Sequence, residues 1–516
     1  MDQKWQDSNK ALGQRRESVA ASGGVERIAK QHASGKLTAR ERLEALFDDN
    51  TFVEINDMIA SRATDFGMDK KKRPGDGVVT GYGYILGRLA FASSQDFTVG
   101  GGSLGEAHAM KICRVMDKAM EMKAPFISIN DSGGARIEEG IAGLSGYADI
   151  FYRNTMASGV IPQISVILGP CAGGACYSPA IADFIFMTEK NSQMYITGPA
   201  VVKSVTGEVI TSSELGGAQV HSSVSGVAHF VCPDELSCLN DVRRLLGYLP
   251  QNNDENSMTV EGTKRDMSAT LSELVPADSK KPYDVRDVID TFADQNSFYE
   301  IQPNFAQNIV IGFARLDGET IGIVANQSRF MAGSLDINAS DKGARFIRFC
   351  DCFNIPILTL VDVPAFLPGS QQEHGGIIRH GAKLLFAYSE ATVPKISLIM
   401  RKAYGGAYIA MNSKGTGADV VYAWPIAEIA VMGASGAVSI IGKKEIDNAE
   451  DPAAKKEELI SAYNEKFMNP YVAAEHGYVD EVILPEETRE KIASAFKMLK
   501  TKKRGIPAKK HGNIPL

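Results

Sequence analysis

Two stretches in the first half of the chain, DSGGARIEEG (131–140) and GPCAGGACYSPA (169–180), place small residues where an apolar run ends. Glycine allows backbone conformations and close approach that a side chain blocks. At a helix N-terminus it also leaves amide hydrogens pointing outward with no partner. Two such loops facing one another form an oxyanion hole, suited to a thioester carbonyl that becomes an enolate. Losing one donor from such a hole costs about 3 kcal/mol of transition-state stabilisation. Two more stretches, VDVPAFLPG (361–369) and KAYGGAYIA (402–410), are their counterparts in the second half. One Gly-Gly alone is well explained as a tight turn. Four loops at matched places are not.

Other chemistries find little support. No Ser/His/Asp order, HExxH or GxSxG elbow stands out. His374 and His380 flank Gly375-Gly376 and are candidates for acid/base work, although a single histidine more often serves as a structural hydrogen-bonder. Gly436 to Lys443 has the wrong spacing for a phosphate-binding loop and lacks its Ser/Thr, so ATP chemistry belongs elsewhere. The seven cysteines include no CxxC pair, which argues for reduced thiols and against a metal site. GGGSLG (100–105) fits GxGxxG, yet the second half keeps only Gly-Ser-Leu of it. AMKI (109–112) looks like a biotin attachment tetrapeptide but sits in an amphipathic helix, where Lys111 reads as a surface lysine.

The elements that must position these loops come in two copies. Residues 79–131 match residues 231 positions later at Val79/Val310, Gly81/Gly312, Gly87/Gly318, Gly102/Gly333, Ser103/Ser334, Leu104/Leu335, Lys111/Lys342, Arg114/Arg345, Pro125/Pro356 and Asp131/Asp362. Chance gives about three identities over such a span. After one residue of slippage, Gly173-Gly174-Ala175 matches Gly405-Gly406-Ala407. So long a period is a duplicated domain. Each copy opens with β-rich alternation, continues with a helix (106–123; 340–354), and then meets a proline and an apolar strand (PFISIND; PILTLVD). A glycine loop, a helix and a second apolar strand ending in Gly-Gly-Ala follow, which is an α/β layout with ligand loops at strand ends. Thr38 and Glu41 are spaced as a capping box at a helix start. The polar stretch 250–282 reads as an interdomain linker, and the chain turns charged and helical after Gly442.

At 516 residues the chain needs two or three domains, expected here as 1–255 and 265–505. Its 44% hydrophobic and 23% charged residues are those of a folded soluble protein. A formal charge of −7 argues against nucleic-acid binding, and the basic tail reads as a solvated end. The polar start carries no secretory signal, and no apolar run is long enough to span a membrane, so a cytoplasmic protein is expected.

GKLTARERLEALFDDNTFVE, INDSGGARIEEG, ISVILGPCAGGACYSPA, LDINASDKGARFIRFCD, FLPGSQQEHGGIIRHGAKLLFAYSEATVPK, RKAYGGAY and KKHGNIPL together resemble the carboxyltransferase subunits of biotin-dependent acyl-CoA carboxylases and decarboxylases. The resemblance covers essentially the whole chain. It implies two tandem crotonase-like α/β domains, arranged head to tail in dimers within a homo-hexamer. It implies carboxyl transfer between carboxybiotin on a separate carrier protein and an acyl-CoA, with propionyl-CoA/methylmalonyl-CoA foremost and a thioester enolate between them. The acyl-CoA would sit on the N-terminal domain of one chain and biotin on the C-terminal domain of its partner.

By matched motifs, the amides of Ala135 and Gly174 would hold the thioester oxygen, with Gly134 and Gly173 shaping their loops. Ser132, Gly133, Arg136 and Ala172 would line the acyl-CoA side. Amides at Phe366, Leu367, Gly406 and Ala407 would hold the biotin ureido oxygen, and Ile409 would influence acyl-chain choice. Biotin would act as the base, which suits a site lacking a side-chain one. Implied partners are a biotin carboxyl carrier protein and either a biotin carboxylase or a membrane decarboxylase subunit; neither ATP nor metal is expected on this chain. Ala365 stands where the family usually has glycine, and His374 where an aromatic is common; both bear on the biotin-side loop. The direction of transfer stays open. A hydratase or hydrolase on acyl-CoA is the competing reading, and Glu138 and Glu139 are the only nearby carboxylates for it.

Overall fold

A computed structural model describes residues 2–263 and 271–516. Of the linker expected at 250–282, residues 264–270 lie outside the described residues. The chain forms two compact units, Met1–Asn256 and Ser257–Leu516.

The first unit is built on a sheet of eight strands: β1 (Val53–Glu54), β2 (Val78–Ile85), β3 (Arg88–Gln95), β4 (Phe126–Ser132), β5 (Gln163–Ala172), β6 (Phe184–Thr188), β7 (Gln193–Tyr195) and β8 (Phe230–Cys232). Their order is β1-β2-β3-β4-β5-β6-β8, with β7 against the end of β5. The second unit repeats this with β9 (Tyr299–Ile301), β10 (Ile309–Leu316), β11 (Glu319–Asn326), β12 (Ile357–Val363), β13 (Lys395–Tyr404), β14 (Val420–Ala423), β15 (Glu428–Ala430) and β16 (Glu481–Val482). Its order is β9-β10-β11-β12-β13-β14-β16, with β15 on β13. Each unit opens with an antiparallel hairpin and continues in parallel from its third strand, because the later connections are helical crossovers.

The hairpins show how closely the backbone is duplicated. Both turn through two left-handed residues, Leu86-Gly87 (φ 53° and 72°) and Asp317-Gly318 (φ 51° and 80°), as a tight two-residue loop demands. In each unit one carboxylate accepts from both turn amides. Asp48 takes Leu86 and Gly87, and Asp294 takes Asp317 and Gly318. Each carboxylate is paired at 2.8 Å with an arginine of a late helix, Arg243 and Arg489.

Thr38 and Glu41 form the expected capping box at the start of helix Ala39–Leu46. The helices after the hairpins run over Glu106–Glu121 and Ile337–Cys352, and each buries its apolar face. Lys111 corrects one expectation: it is fully buried, not on the surface. Its stem lies on the apolar face, while Nζ donates to the carbonyls of Gly75 and Val78. Lys342 does the same in the second unit, donating to Gln302, Phe305 and Ile309.

Candidate active sites at the strand ends

In the first unit, β4 and β5 run parallel until a register shift that pairs Ser132 with Cys171. The loops that leave the two strands therefore start side by side. Gly134 has φ +106° and lies so near β5 that a Cβ there would come within 3.1 Å of the Ala172 carbonyl oxygen. No L side chain suits that backbone. Its amide donates to Ser132 Oγ at 3.1 Å, and Gly133 donates to the Gly101 carbonyl at 3.0 Å.

Ala135 is held by its neighbours and left unbonded itself. The Leu104 amide donates to the Gly134 carbonyl at 2.9 Å, and the Arg136 amide donates to the Leu104 carbonyl at 2.9 Å. Leu104 and Ala135 form an isolated parallel bridge, in which the Ala135 amide has no acceptor among the described residues. Across from it, Gly173–Cys176 is a helical turn preceded by Ala172, and Gly173 has φ +63°. The first amides of a helical turn have no internal acceptor, which frees Gly174. Cys176 Sγ bonds the Cys171 carbonyl and pins this turn to its strand. The Tyr147 ring lies behind Gly174, 3.1 Å from where a Cβ would stand.

The second unit repeats the arrangement. Val363 of β12 pairs with Ala403 of β13 across an equivalent register shift. Leu335 donates to the Ala365 carbonyl at 3.0 Å and accepts from the Leu367 amide at 2.8 Å, leaving the Phe366 amide without an acceptor among the described residues. Gly405–Ala410 is a helix whose first amides, at Gly405, Gly406 and Ala407, lack internal acceptors. A Cβ at Gly406 would meet nothing within 4 Å. Ala365 has no left-handed φ, so its backbone is one that an L residue adopts without strain. Ile409 is half-exposed on this helix.

A buried, ion-paired carboxylate stands near the end of β4 and of β12. Asp131 is fully buried between Lys36 (2.6 Å) and Arg42 (3.0 Å), and Arg42 also pairs with Glu235. Asp362 is fully buried against Arg401 at 2.8 Å, and it accepts from the Lys402 amide. The carboxylate is common to both units; its cation comes from a different element in each.

Some candidates lie away from the free amides or are already bonded. The Leu367 amide is taken by Leu335, so Leu367 anchors its loop. The Arg136 side chain is buried among carboxylates. His380 Nδ1 is engaged by Asp341 at 2.8 Å, and His374 is exposed. Glu139 accepts from Arg136, Ser61 and the Glu106 amide. Burial pushes its carboxyl up, but these donors outweigh it and hold Glu139 below the ordinary carboxylate range. Glu138 is exposed. Of the two carboxylates a hydratase would draw on, Glu139 is therefore already engaged by three donors. Tyr147, Asp76 and the Asp48 and Asp294 clamps were not foreseen, because each acts across a long sequence separation.

Each unit thus presents backbone amides at the end of two parallel strands. Such a donor set fits an uncharged carbonyl that gains negative charge, and a ureido oxygen as well as a thioester oxygen.

This is the architecture of a carboxyltransferase with duplicated crotonase-like domains. The chain belongs to the carboxyl transferase domain family, which it matches over residues 30–514. It is 57% identical over 508 residues to the methylmalonyl-CoA decarboxylase subunit alpha of Propionigenium modestum, covering 98% of each chain. It is 58% identical over 507 residues to the propionyl-CoA carboxylase carboxyltransferase subunit of Haloferax mediterranei, again covering 98% of each. The solved structure of transcarboxylase 12S, a hexamer with methylmalonyl-coenzyme A and methylmalonic acid bound, matches with a TM-score of 0.95 at 55% identity over 98% of each chain. No helix among the described residues is long and apolar enough to cross a membrane.

Proposed function

We propose that this chain transfers a carboxyl group between an acyl-CoA held on its first unit and biotin held on its second, the biotin being carried by a separate protein. The reading rests on one observation: both units leave unbonded amides at the same place, Ala135 and Gly174 in one, Phe366 and Gly406–Ala407 in the other. Propionyl-CoA and methylmalonyl-CoA are the proposed pair, supported by the names of the relatives. A homo-hexamer, a biotin carboxyl carrier protein, and a biotin carboxylase or membrane decarboxylase subunit complete the proposal, with a cytoplasmic place and neither ATP nor metal bound to this chain. The same residues serve whichever way the carboxyl group moves.

In this reading the amides of Ala135 and Gly174 donate to the thioester oxygen. They strengthen as the enolate forms, and each contributes about 3 kcal/mol to the transition state. The amides of Phe366, Gly406 and Ala407 donate to the ureido oxygen, while Leu335 and Leu367 keep the Phe366 amide aimed. Biotin, when bound, supplies the carboxyl group and the base that the chain lacks. Gly134 and Gly173 give the two loops their left-handed backbone, Ala172 adds only a methyl group beside them, and Ser132 and Gly133 hold the loop in place.

The test is Gly174→Val. Its branched side chain stands against Tyr147 and covers the amide, so carboxyl transfer is lost while the oligomer elutes unchanged. Retained activity would remove Gly174 from the first hole.

A further inference from the structure

Arg136 follows the unbonded Ala135 amide in sequence, and its side chain ties together the segments that hold that amide. Nη1 donates to Asp76 Oδ1 at 2.7 Å and to Glu139 Oε1 at 2.8 Å. Nη2 donates to the Ser103 carbonyl at 2.9 Å, and the backbone amide donates to the next carbonyl, that of Leu104, at 2.9 Å. One residue thus grips 103–104 through both its main chain and its side chain.

The partners are themselves fixed. Asp76 is buried in a left-handed conformation (φ 47°), and its Oδ2 accepts from the His108 amide at 3.0 Å. Its carbonyl lies 3.0 Å from His108 Nδ1. Glu139 is also bonded by Ser61 Oγ at 2.9 Å and by the Glu106 amide at 2.7 Å. Gly105 makes room for the group: a Cβ there would come within 2.5 Å of Glu139 Oε1 and 2.6 Å of Arg136 Nη1.

Two observations separate this cluster from general scaffolding. Arg136 is only 5% exposed, so its charge is spent inside the protein and not offered to a phosphate. In the second unit the positions 231 residues on are Gln307, Leu367 and Ser370 in place of Asp76, Arg136 and Glu139. The main-chain bracket is present in both units, while the ionic staple belongs to the first alone.

We propose that Arg136 is a positioning residue: its guanidinium, held between Asp76 and Glu139, locks segment 103–104 against loop 134–136 and so aims the Ala135 amide at the substrate oxygen. The proposal rests on the reading of Ala135 as a donor to the thioester. A lysine keeps the charge but cannot span two carboxylates and a carbonyl in a planar fork. Misplacement of a catalytic group by about 1 Å costs on the order of 100-fold in rate.

The experiment compares the intact oligomers of wild type, Arg136→Lys and Glu139→Gln in biotin-dependent loss of methylmalonyl-CoA. Arg136→Lys is expected to lower kcat by about 100-fold with KM for the CoA ester little changed, and Glu139→Gln to lower it less. A raised KM at unchanged kcat would overturn the proposal in favour of a substrate-binding Arg136, and kinetics unchanged throughout would overturn it as well. If Arg136→Lys does not assemble, Asp76→Asn carries the comparison, with lowered kcat expected and unaltered kcat overturning the idea. Gly174→Val separates the two layers. Its inactivity beside a fully active Arg136→Lys rejects the staple and keeps the hole, whereas its activity rejects the hole itself.

Discussion

Leu104 brackets Ala135 through two hydrogen bonds that leave the Ala135 amide free, and Leu335 brackets Phe366 in the same way 231 residues later. A bridge of one residue on each side is the smallest unit of parallel sheet. Here it does not extend a sheet but presents a single donor. Duplicating it yields two donors of the same geometry, which in our reading serve two different carbonyl ligands.

Gly406 offers the cleaner probe of the second donor set. A Cβ there meets no atom within 4 Å beyond its chain neighbours and its own helix backbone, so Gly406→Val is expected to be tolerated by the fold while crowding the space in front of the amide. The expected outcome is an unchanged melting temperature with biotin-dependent turnover lowered by 100-fold or more, the scale of losing an oxyanion donor. Normal turnover would show that the amide faces no ligand.

The paired turn clamps are predicted to be structural. Asp294→Ala leaves the amides of Asp317 and Gly318 without their acceptor and removes a partner of Arg489. A loss of about 3 kcal/mol is expected, read as a lower denaturation midpoint. An unchanged midpoint would contradict the assignment.

Lys342 gives a pH signature. Desolvation by burial pulls its pKa from 10.5 down to about 7. Between about pH 7 and 10.5 the unfolded chain binds a proton at this site that the folded chain does not, so stability rises with pH across that window, and the burial penalty is fully present below it. The total is on the order of a few kcal/mol. Lys342→Met is therefore expected to show a shallower rise in melting temperature from pH 7 to pH 10 than wild type. Parallel curves would exclude the lysine as the source.

The duplication was legible because its 231-residue period retains residues with strict backbone duties, such as Gly87 and Gly318 in the hairpin turns and the Ser-Leu pair whose leucine forms each bridge. The glycine loops were legible for the same reason. The Asp48–Arg243 and Asp294–Arg489 clamps were not, since their partners lie about 195 residues apart in sequence and follow a longer register than the strands. Lys111 misled because a periodicity argument counts every lysine as polar, while its stem packs as an apolar chain and carbonyls take its charge. The Arg136 staple was hidden as well. Asp76 lies 60 residues before Arg136, and nothing local distinguishes a buried arginine in a glycine-rich loop from an exposed one.

The measurement that tests the central claim most directly is the reverse assay on the wild-type oligomer, with methylmalonyl-CoA and free biotin and loss of the CoA ester followed over time. The account predicts loss that requires biotin and disappears in both Gly174→Val and Gly406→Val. Loss that proceeds equally without biotin, or survives both substitutions, would contradict it.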